Sequence, residues 1–354
     1  AWKRRGGLGP FEDKLVTGMR ERGYDEEFAR QIFQQILGFG EYGFPESHSA
    51  SFALLVYVSS WLKRHEPAAF TCALLNSQPM GFYSASQLVQ DAQRHEVTVR
   101  PVDINASAWD CSLEPDDAGA PALRLGLRMV KGLSEDAGAR IVAARTDGLF
   151  AEVQQLRERA GLDRRELGVL ASAGALKPIS GDRHRARWAV AGAEKPMALF
   201  PDMTRYEPMP LLRRPTEGQN IVSDYRTTGL TLERHPMCQL RRHLDRYAYV
   251  RGDALSSLDD GAGVYVAGLV STKQRPGTAS GVIFVTLEDE SGQVNVIVWK
   301  QDAEKYRAAL LNARLLGVVG ELQIEGQVIH VIARQLFDHS TLLGDLTVVS
   351  RDFR

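Results

Sequence analysis

The residues best placed to do chemistry in this chain are polar side chains beside glycines at helix starts. The chemistry they offer is binding of phosphates and bases. The strongest group is Gly40-Glu41-Tyr42-Gly43-Phe44-Pro45-Glu46-Ser47-His48-Ser49-Ala50-Ser51-Phe52. Its glycines permit close approach, and the helix expected after it presents the positive end of its dipole. Ser47 is the expected N-cap, and Ser47 and His48 could donate from that end to a phosphate or a base edge. His48 and Phe52 lie four apart and share a helix face, where a ring can stack on a nucleotide. Read from the residues alone, the segment is a capped core helix, because an aromatic at helical spacing is usually packing.

A second group is Val130-Lys131-Gly132-Leu133-Ser134, with Arg128 just before it and a helix expected over residues 135–145. A turn of this kind, opening a helix capped by Ser134, turns backbone N–H groups toward an anion, with Lys131 and Arg128 adjacent. It resembles a helix-hairpin-helix motif, which grips the DNA backbone without reading bases. Residues 162–176, with Ala173-Gly174-Ala175-Leu176, look like a degenerate partner unit. Arg183, Arg185 and Arg187 follow and extend the basic surface. The chain carries a formal charge of −1 overall, yet residues 157–251 hold 18 Lys and Arg against 11 Asp and Glu, a local excess of seven. Such a stretch is a candidate phosphate-facing surface, and also an ordinary solvated arginine-rich face.

No catalytic constellation stands out, and no catalytic residue is expected here. There is no Walker A loop, dinucleotide glycine fingerprint, H-E-x-x-H or G-x-S-x-G. The acidic pairs Glu26-Glu27, Asp116-Asp117 and Asp259-Asp260 fall at turns or helix starts, where carboxylates cap and answer the dipole. Cys72, Cys111 and Cys238 are scattered, which argues against a disulfide framework or zinc site and fits a reducing cytoplasm. No run approaches the length of a membrane span. The chain does not begin with Met, which fits a piece of something longer or a trimmed start.

The elements that must position these groups follow from periodicity. Residues 11–75 recur at helical steps, broken by the glycines and proline of 38–45, with a long apolar helix over 48–65. Short strands are expected at 97–102 and 122–127, flanking a turn at 114–119, then short helices over 128–176. Residues 178–260 read as irregular, with short helices around 226–232 and 237–244. From Gly263 the period becomes two, with runs beginning at Val264, at 282–289 and at 293–299, the last two joined by Glu290-Ser291-Gly292. A helix at 302–311 and strands at 315–324 and 327–333 complete the order of a five-stranded OB-fold. Phe284 and Trp299, in strongly apolar strands, read as barrel core. Lys273 and Arg275, in the loop after the first strand, are the better DNA-contact candidates.

The stretch from Gly40 to Leu55, ending in Lys63-Arg64-His65-Glu66-Pro67, resembles the end of the fingers domain of bacterial DNA polymerase III α-type (DnaE-type) polymerases. Glu46, Phe52 and Leu74-Leu75-Asn76-Ser77-Gln78-Pro79 resemble the error-prone, ImuC-like branch. The resemblance implies a multidomain α+β chain: fingers remainder at 1–95, a helix-hairpin-helix region at 96–192, a linker at 193–260, an OB-fold at 261–338 and a tail at 339–354. It implies that Ser47, His48 and Phe52 line the incoming-nucleotide side. The palm carboxylates and their Mg²⁺ would lie in residues not present, so this piece alone is expected to be inactive and to hold no cofactor. Implied partners are primer–template DNA, single-stranded template, and Y-family-like and RecA-like accessory proteins. Pro196-Met197-Ala198-Leu199-Phe200 sits where relatives carry a sliding-clamp peptide but lacks its leading Gln, so direct clamp binding is expected to be weak if present. A rival reading is a stand-alone DNA-binding or scaffold module. A nuclease or glycosylase on the hairpin, with Lys131 as its amine, is a third.

Overall fold

The computed structural model describes residues 11–42, 46–80, 83–193, 210–277, 281–346 and 351–353, with 37–42, 46–48 and 351–353 described by backbone alone. The chain divides into two compact units, residues 1–70 and 71–354.

The first unit is helical: α1 (Glu12–Arg20), α2 (Glu26–Tyr42), α3 (Glu46–His65) and the start of α4 (Pro67–Asn76). Asp25 accepts from the Glu27 amide at 3.1 Å to start α2, and Arg20 pairs with Glu26 across the turn at 3.1 Å. Ala29 and Phe33 are buried on one face of α2. Two expectations change here. The helix α2 runs through Gly38 and Gly40 to Tyr42, because glycines weaken a helix by only about 1 kcal/mol each and do not by themselves end it. Ser47 lies inside α3, which already begins at Glu46, and so is not its N-cap.

The second unit opens with α5 (Ala85–Arg94), started by a reciprocal Ser84–Gln87 capping box. A small sheet follows, in which β1 (Val99–Arg100) runs parallel to β3 (Pro121–Arg124), and β2 (Ser112–Pro115) runs antiparallel to it. Residues 114 and 115 thus belong to a strand and not to the expected turn. Arg100 and Arg124 both bond Glu114 at 2.7 Å; burial works to raise that carboxyl, and the two guanidinium groups outweigh it and hold it below its ordinary value. Five helices pack behind the sheet: α6 (Glu135–Ala144), α7 (Val153–Ala160), α8 (Arg164–Ala173), α9 (Lys177–Ser180) and α10 (Arg183–Gly192). The helix α6 sits so close to the preceding segment that a Cβ on Gly138 would lie 2.5 Å from the Trp109 ring.

In the stretch read as a linker, α11 (Glu217–Thr227) and α12 (Pro236–Leu244) are well-capped helices. Ile221, Tyr225, Met237, Leu244 and Tyr249 form a shared core with Ala267, Leu269 and Leu315 of the barrel. The expected helix at 226–232 is replaced by α11, which begins nine residues earlier, because Thr216 and Gln219 form a capping box there.

The barrel follows the expected order. β4 (Gly263–Gln274), β5 (Ile283–Glu288) and β6 (Gln293–Val298) form an antiparallel meander. The short helices α13 (Lys300–Lys305) and α14 (Arg307–Asn312) lead to β7 (Leu315–Glu325) and β8 (Val328–Asp338). β8 pairs parallel with β6, β7 pairs with β4, and β4 pairs with β5, so five strands close on themselves. β9 (Arg351–Phe353) adds a parallel edge to the end of β4. The interior is apolar: Val264, Val266, Val285, Leu287, Val296, Val298, Val318 and Val331.

Candidate nucleic-acid interface

Two surfaces of the second unit carry groups suited to nucleic acid. The first is built from two short turns of the same construction. In one, Gly132 takes a φ of +85°, Leu133 is buried, and Ser134 accepts from the Ala137 amide at 3.2 Å to start α6. In the other, α7 ends on Gly161 at φ +58°, Leu162 is buried, and Asp163 accepts from the Glu166 amide at 2.7 Å to start α8. Glycine is required at both, since side chains rarely adopt these dihedrals. The two turns brace each other. Arg140 of α6 donates to Ala160 O at 2.7 Å and to the Glu166 carboxylate at 2.8 Å, while Arg165 of α8 donates to Gly132 O at 3.1 Å. The partner of the Lys131 turn is therefore Gly161-Leu162-Asp163. Gly174, at the expected partner site, ends α8 instead, with the Arg183 guanidinium packed against it.

The pair is unequal in charge. The first turn of α6 carries Glu135 and Asp136, and that of α8 begins with Arg164 and Arg165, all four exposed. Lys131 is exposed but reaches back to Tyr225 O at 3.3 Å, and its amide donates to Thr227 O at 2.8 Å. Arg128 pairs with Asp110 at 2.6 Å. Arg183 is buried: it donates to Ser172 O and Ala173 O, to Asn220 at 2.7 Å and to Asp224, so it ties α8 and α10 to α11. Arg185 lies 3.7 Å from Asp182, and Arg187 is exposed beside Ser172. Of the basic residues singled out in this region, Lys131 and Arg187 are exposed. Arg164 and Arg165 were missed, although the matching Gly-Leu-Ser and Gly-Leu-Asp turns were in the sequence to find them.

The second surface is the outside of the barrel. The register sets Gln274 opposite Phe284, Phe284 opposite Ile297, and Ile297 opposite Ile332, a row crossing four strands. Phe284 is 38% and Trp299 50% exposed. Both were expected in the barrel core; they point outward because Val285, Leu287, Val296 and Val298 hold the inward positions of the two-residue alternation. Beside this row runs a polar one, Thr272, Thr286, Asn295, His330 and Gln323. Arg275 is exposed past the end of β4, and Lys273 donates to Leu311 O at 3.1 Å.

Further along, the outer face is closed by helices. Glu288 is buried and accepts from Gln90 of α5 at 2.8 Å, and its carboxylate lies 3.1 Å from Nε2 of His235, the N-cap of α12. Burial works to raise this carboxyl, but the bonds from His235 and Gln90 prevail and hold it below its ordinary value. Arg241 of α12 clasps Glu290 with two bonds of 2.7 and 2.8 Å. The helices α5 and α12 and the barrel are thereby pinned at one place.

Ser47 and His48 lie outside the described side chains. The backbone puts both in the first turn of α3, and Phe52 follows on the same helix, half exposed. The segment Pro196-Met197-Ala198-Leu199-Phe200 lies outside the described residues. Among the described residues no helix is long and apolar enough to cross a membrane.

Residues 96–186 match a helix-hairpin-helix motif family, and residues 264–338 match an OB-fold nucleic acid binding domain. The whole chain is 54% identical to the error-prone DNA polymerase of Methylococcus capsulatus (strain Bath), covering 36% of that protein. It is 56% identical to the one from Alkalilimnicola ehrlichii and 54% to that of Pseudomonas fluorescens Pf0-1, covering 34% of each. Over its whole length the chain is similar in sequence to one part of the error-prone DNA polymerases. It spans about a third of the length of these relatives. Among solved structures, the hypothetical protein ygiW from E. coli overlaps 25% of this chain and 87% of its own, with a TM-score of 0.20 and 15% identity. Asparaginyl-tRNA synthetase from Pyrococcus horikoshii overlaps 26% of this chain and 21% of its own, with a TM-score of 0.21 and 26% identity. The resemblance read from the Gly40–Leu55 segment and the expected succession of hairpin region and five-stranded barrel are both borne out.

Proposed function

We propose that residues 71–354 are the DNA-holding part of an error-prone DNA polymerase, the hairpin pair gripping duplex backbone and the outer barrel face holding single-stranded template. The observation that carries this is the coexistence, in one compact unit, of paired glycine hairpins with an arginine-led helix start and an outward row of Phe284, Ile297, Ile332 and Trp299. Backbone amides and arginines suit phosphates without sequence preference, and exposed rings suit unpaired bases. In the whole protein these surfaces would serve template-directed synthesis past damaged bases in the cytoplasm. Palm carboxylates and Mg²⁺ from outside this chain would supply the chemistry, and Y-family-like and RecA-like proteins would recruit it. The sliding clamp would be contacted directly only weakly. Ser47, His48 and Phe52 would border the incoming nucleotide, and Arg187, Lys273 and Arg275 would lie along the strand paths. Within the hairpin grip, Arg164 takes the leading role over Arg165, Arg128, Lys131, Gly132 and Ser134, whose polar groups and turn also hold the fold.

The test is fluorescence anisotropy of the 354-residue chain on labelled duplex and single strand. Duplex binding should weaken steeply as salt rises, and Phe284→Ala with Trp299→Ala should lower single-strand affinity about tenfold or more while sparing duplex. Salt-independent binding, or a double variant indistinguishable from the parent, contradicts the reading. Primer extension by the chain alone should be absent; extension with contaminating polymerase excluded would overturn that part.

A further inference from the structure

Beyond the row on β5, β6 and β8, the outer side of the barrel carries a second group of rings. His339, just past the end of β8, lies 5.8 Å from Tyr247 and 6.3 Å from Phe337 by ring centroids, tilted 30° and 15° from them. Tyr247 is 59% and Phe337 40% exposed. The group is built in, not incidental. Tyr249 is buried beneath it and its hydroxyl meets His339 Nε2 at 2.8 Å. Phe337 pairs across the sheet with Gly317, where a Cβ would strike both the Tyr249 hydroxyl and His339, so only glycine lets this pair lie flat on β7. Burial pushes the Tyr249 phenol up to about 12 and holds His339 below its ordinary value, so near neutral pH the array is uncharged aromatic surface.

The surroundings are those of a strand-binding face. Arg242 and His243, in the last turn of α12, and Arg246, in the turn that carries Tyr247, are exposed, with Asp245 and Asp338 the exposed acids next to the rings in sequence. Arg334, which pairs with Glu321 at 3.1 Å, and Gln335 are exposed on β8 between Ile332 and Phe337. Phe337 lies five positions beyond Ile332, about 16 Å, and the register shift opposite Val319 and Gly320 lets both face outward from the barrel, as their partners Ile297 and Gly317 do. Rings interleaved with cations along an open strand suit bases and phosphates in alternation.

Resting on the single-strand reading above, we infer that Tyr247, His339 and Phe337 form a second base-stacking platform, which extends the path of single-stranded DNA from Phe284 and Trp299 along the outside of β8. The occupant is single-stranded nucleic acid, recognised by ring faces and phosphate charge without sequence preference.

Oligothymidine strands of about 6 and about 20 nucleotides, one within and one beyond the usual span of one such barrel, decide the matter by anisotropy on the 354-residue chain. The Tyr247→Ala/Phe337→Ala variant should bind the longer strand about tenfold more weakly and the shorter one like the parent, and Tyr247→Phe/Phe337→Tyr should restore parental binding. Both positions are exposed, and circular dichroism checks that the fold is kept. Equal affinity of the alanine variant and the parent at every length overturns the inference, and assigns the rings to a protein contact. If Phe284→Ala/Trp299→Ala abolishes binding while the Tyr247 and Phe337 changes do nothing, this inference fails and the barrel reading stands. If the parent binds neither strand, both fail.

Discussion

Arg164 and Arg165 show how little a residue's type says about its task until its neighbours are known. Both open α8 beside the Gly161 turn, whereas Lys131, the more conspicuous cation in sequence, spends its ammonium on Tyr225 O. Arg164→Ala should weaken duplex binding and lower the slope of log affinity against log salt by about one, and Arg165→Ala, which also removes the bond to Gly132 O, should in addition lower thermal stability. Lys131→Ala should instead lower thermal stability, with the salt slope nearly unchanged. Anisotropy over a salt series separates the two, and a slope altered by Lys131→Ala but not by the arginines would reverse the assignment. The turn at Gly132 was legible because glycine, a buried leucine and a capping serine stand in sequence. The consumption of Lys131 was not, since its acceptor lies 94 residues away. Glu288 makes the same point for stability. Its carboxyl is depressed below the ordinary 4.5 in the folded chain, so the folded state binds its proton less readily than the unfolded one. The stabilisation is therefore complete above about pH 4.5 and is lost as the pH falls through the depressed value. Glu288→Gln should cost about 1.5–3 kcal/mol at neutral pH, and melts at pH 7 and near pH 4 should show that deficit shrinking with acid. A deficit independent of pH would mean that the charge is not what matters.

At the level of elements, the sequence carried strand order well and strand facing poorly. The five runs of period two and the helix between the third and fourth gave the barrel. Phe284 and Trp299 were taken as core from hydrophobicity, although the alternation with Val285 and Val298 already placed them outside. The helix α11 was displaced because its capping box at Thr216 stands amid prolines that suggested irregular chain. Close packing between elements leaves only a faint trace in sequence, a glycine within an ordinary helix. Gly138 is such a case, its missing Cβ occupied by the Trp109 ring. Gly138→Ala would improve an isolated helix but should destabilise this one by about 1–3 kcal/mol through overpacking. A rise in melting temperature would show that the Trp109 ring yields freely.

For the whole molecule, the first unit raises a different issue. Its long helix α3 exposes Leu54, Leu55, Val56 and Tyr57, the last at 70%, and exposed apolar groups of this size favour association. The isolated chain should bind an apolar fluorescent dye or self-associate, and Val56→Lys with Tyr57→Lys should suppress this without loss of helix content by circular dichroism. Dye binding unchanged by that pair would place the sticky surface elsewhere. The second unit behaves as one body. Glu288 gathers α5, α12 and β5 at a single buried carboxylate, while Arg183 binds α8 and α10 to α11. A spacing fixed in this way belongs to the polypeptide and not to whatever it holds. The hairpin pair and the barrel face cannot drift apart as independent modules on a string would. On the proposed reading they would act as a caliper, with jaws set at folding, so that the place where two strands become one would be measured off by the protein itself.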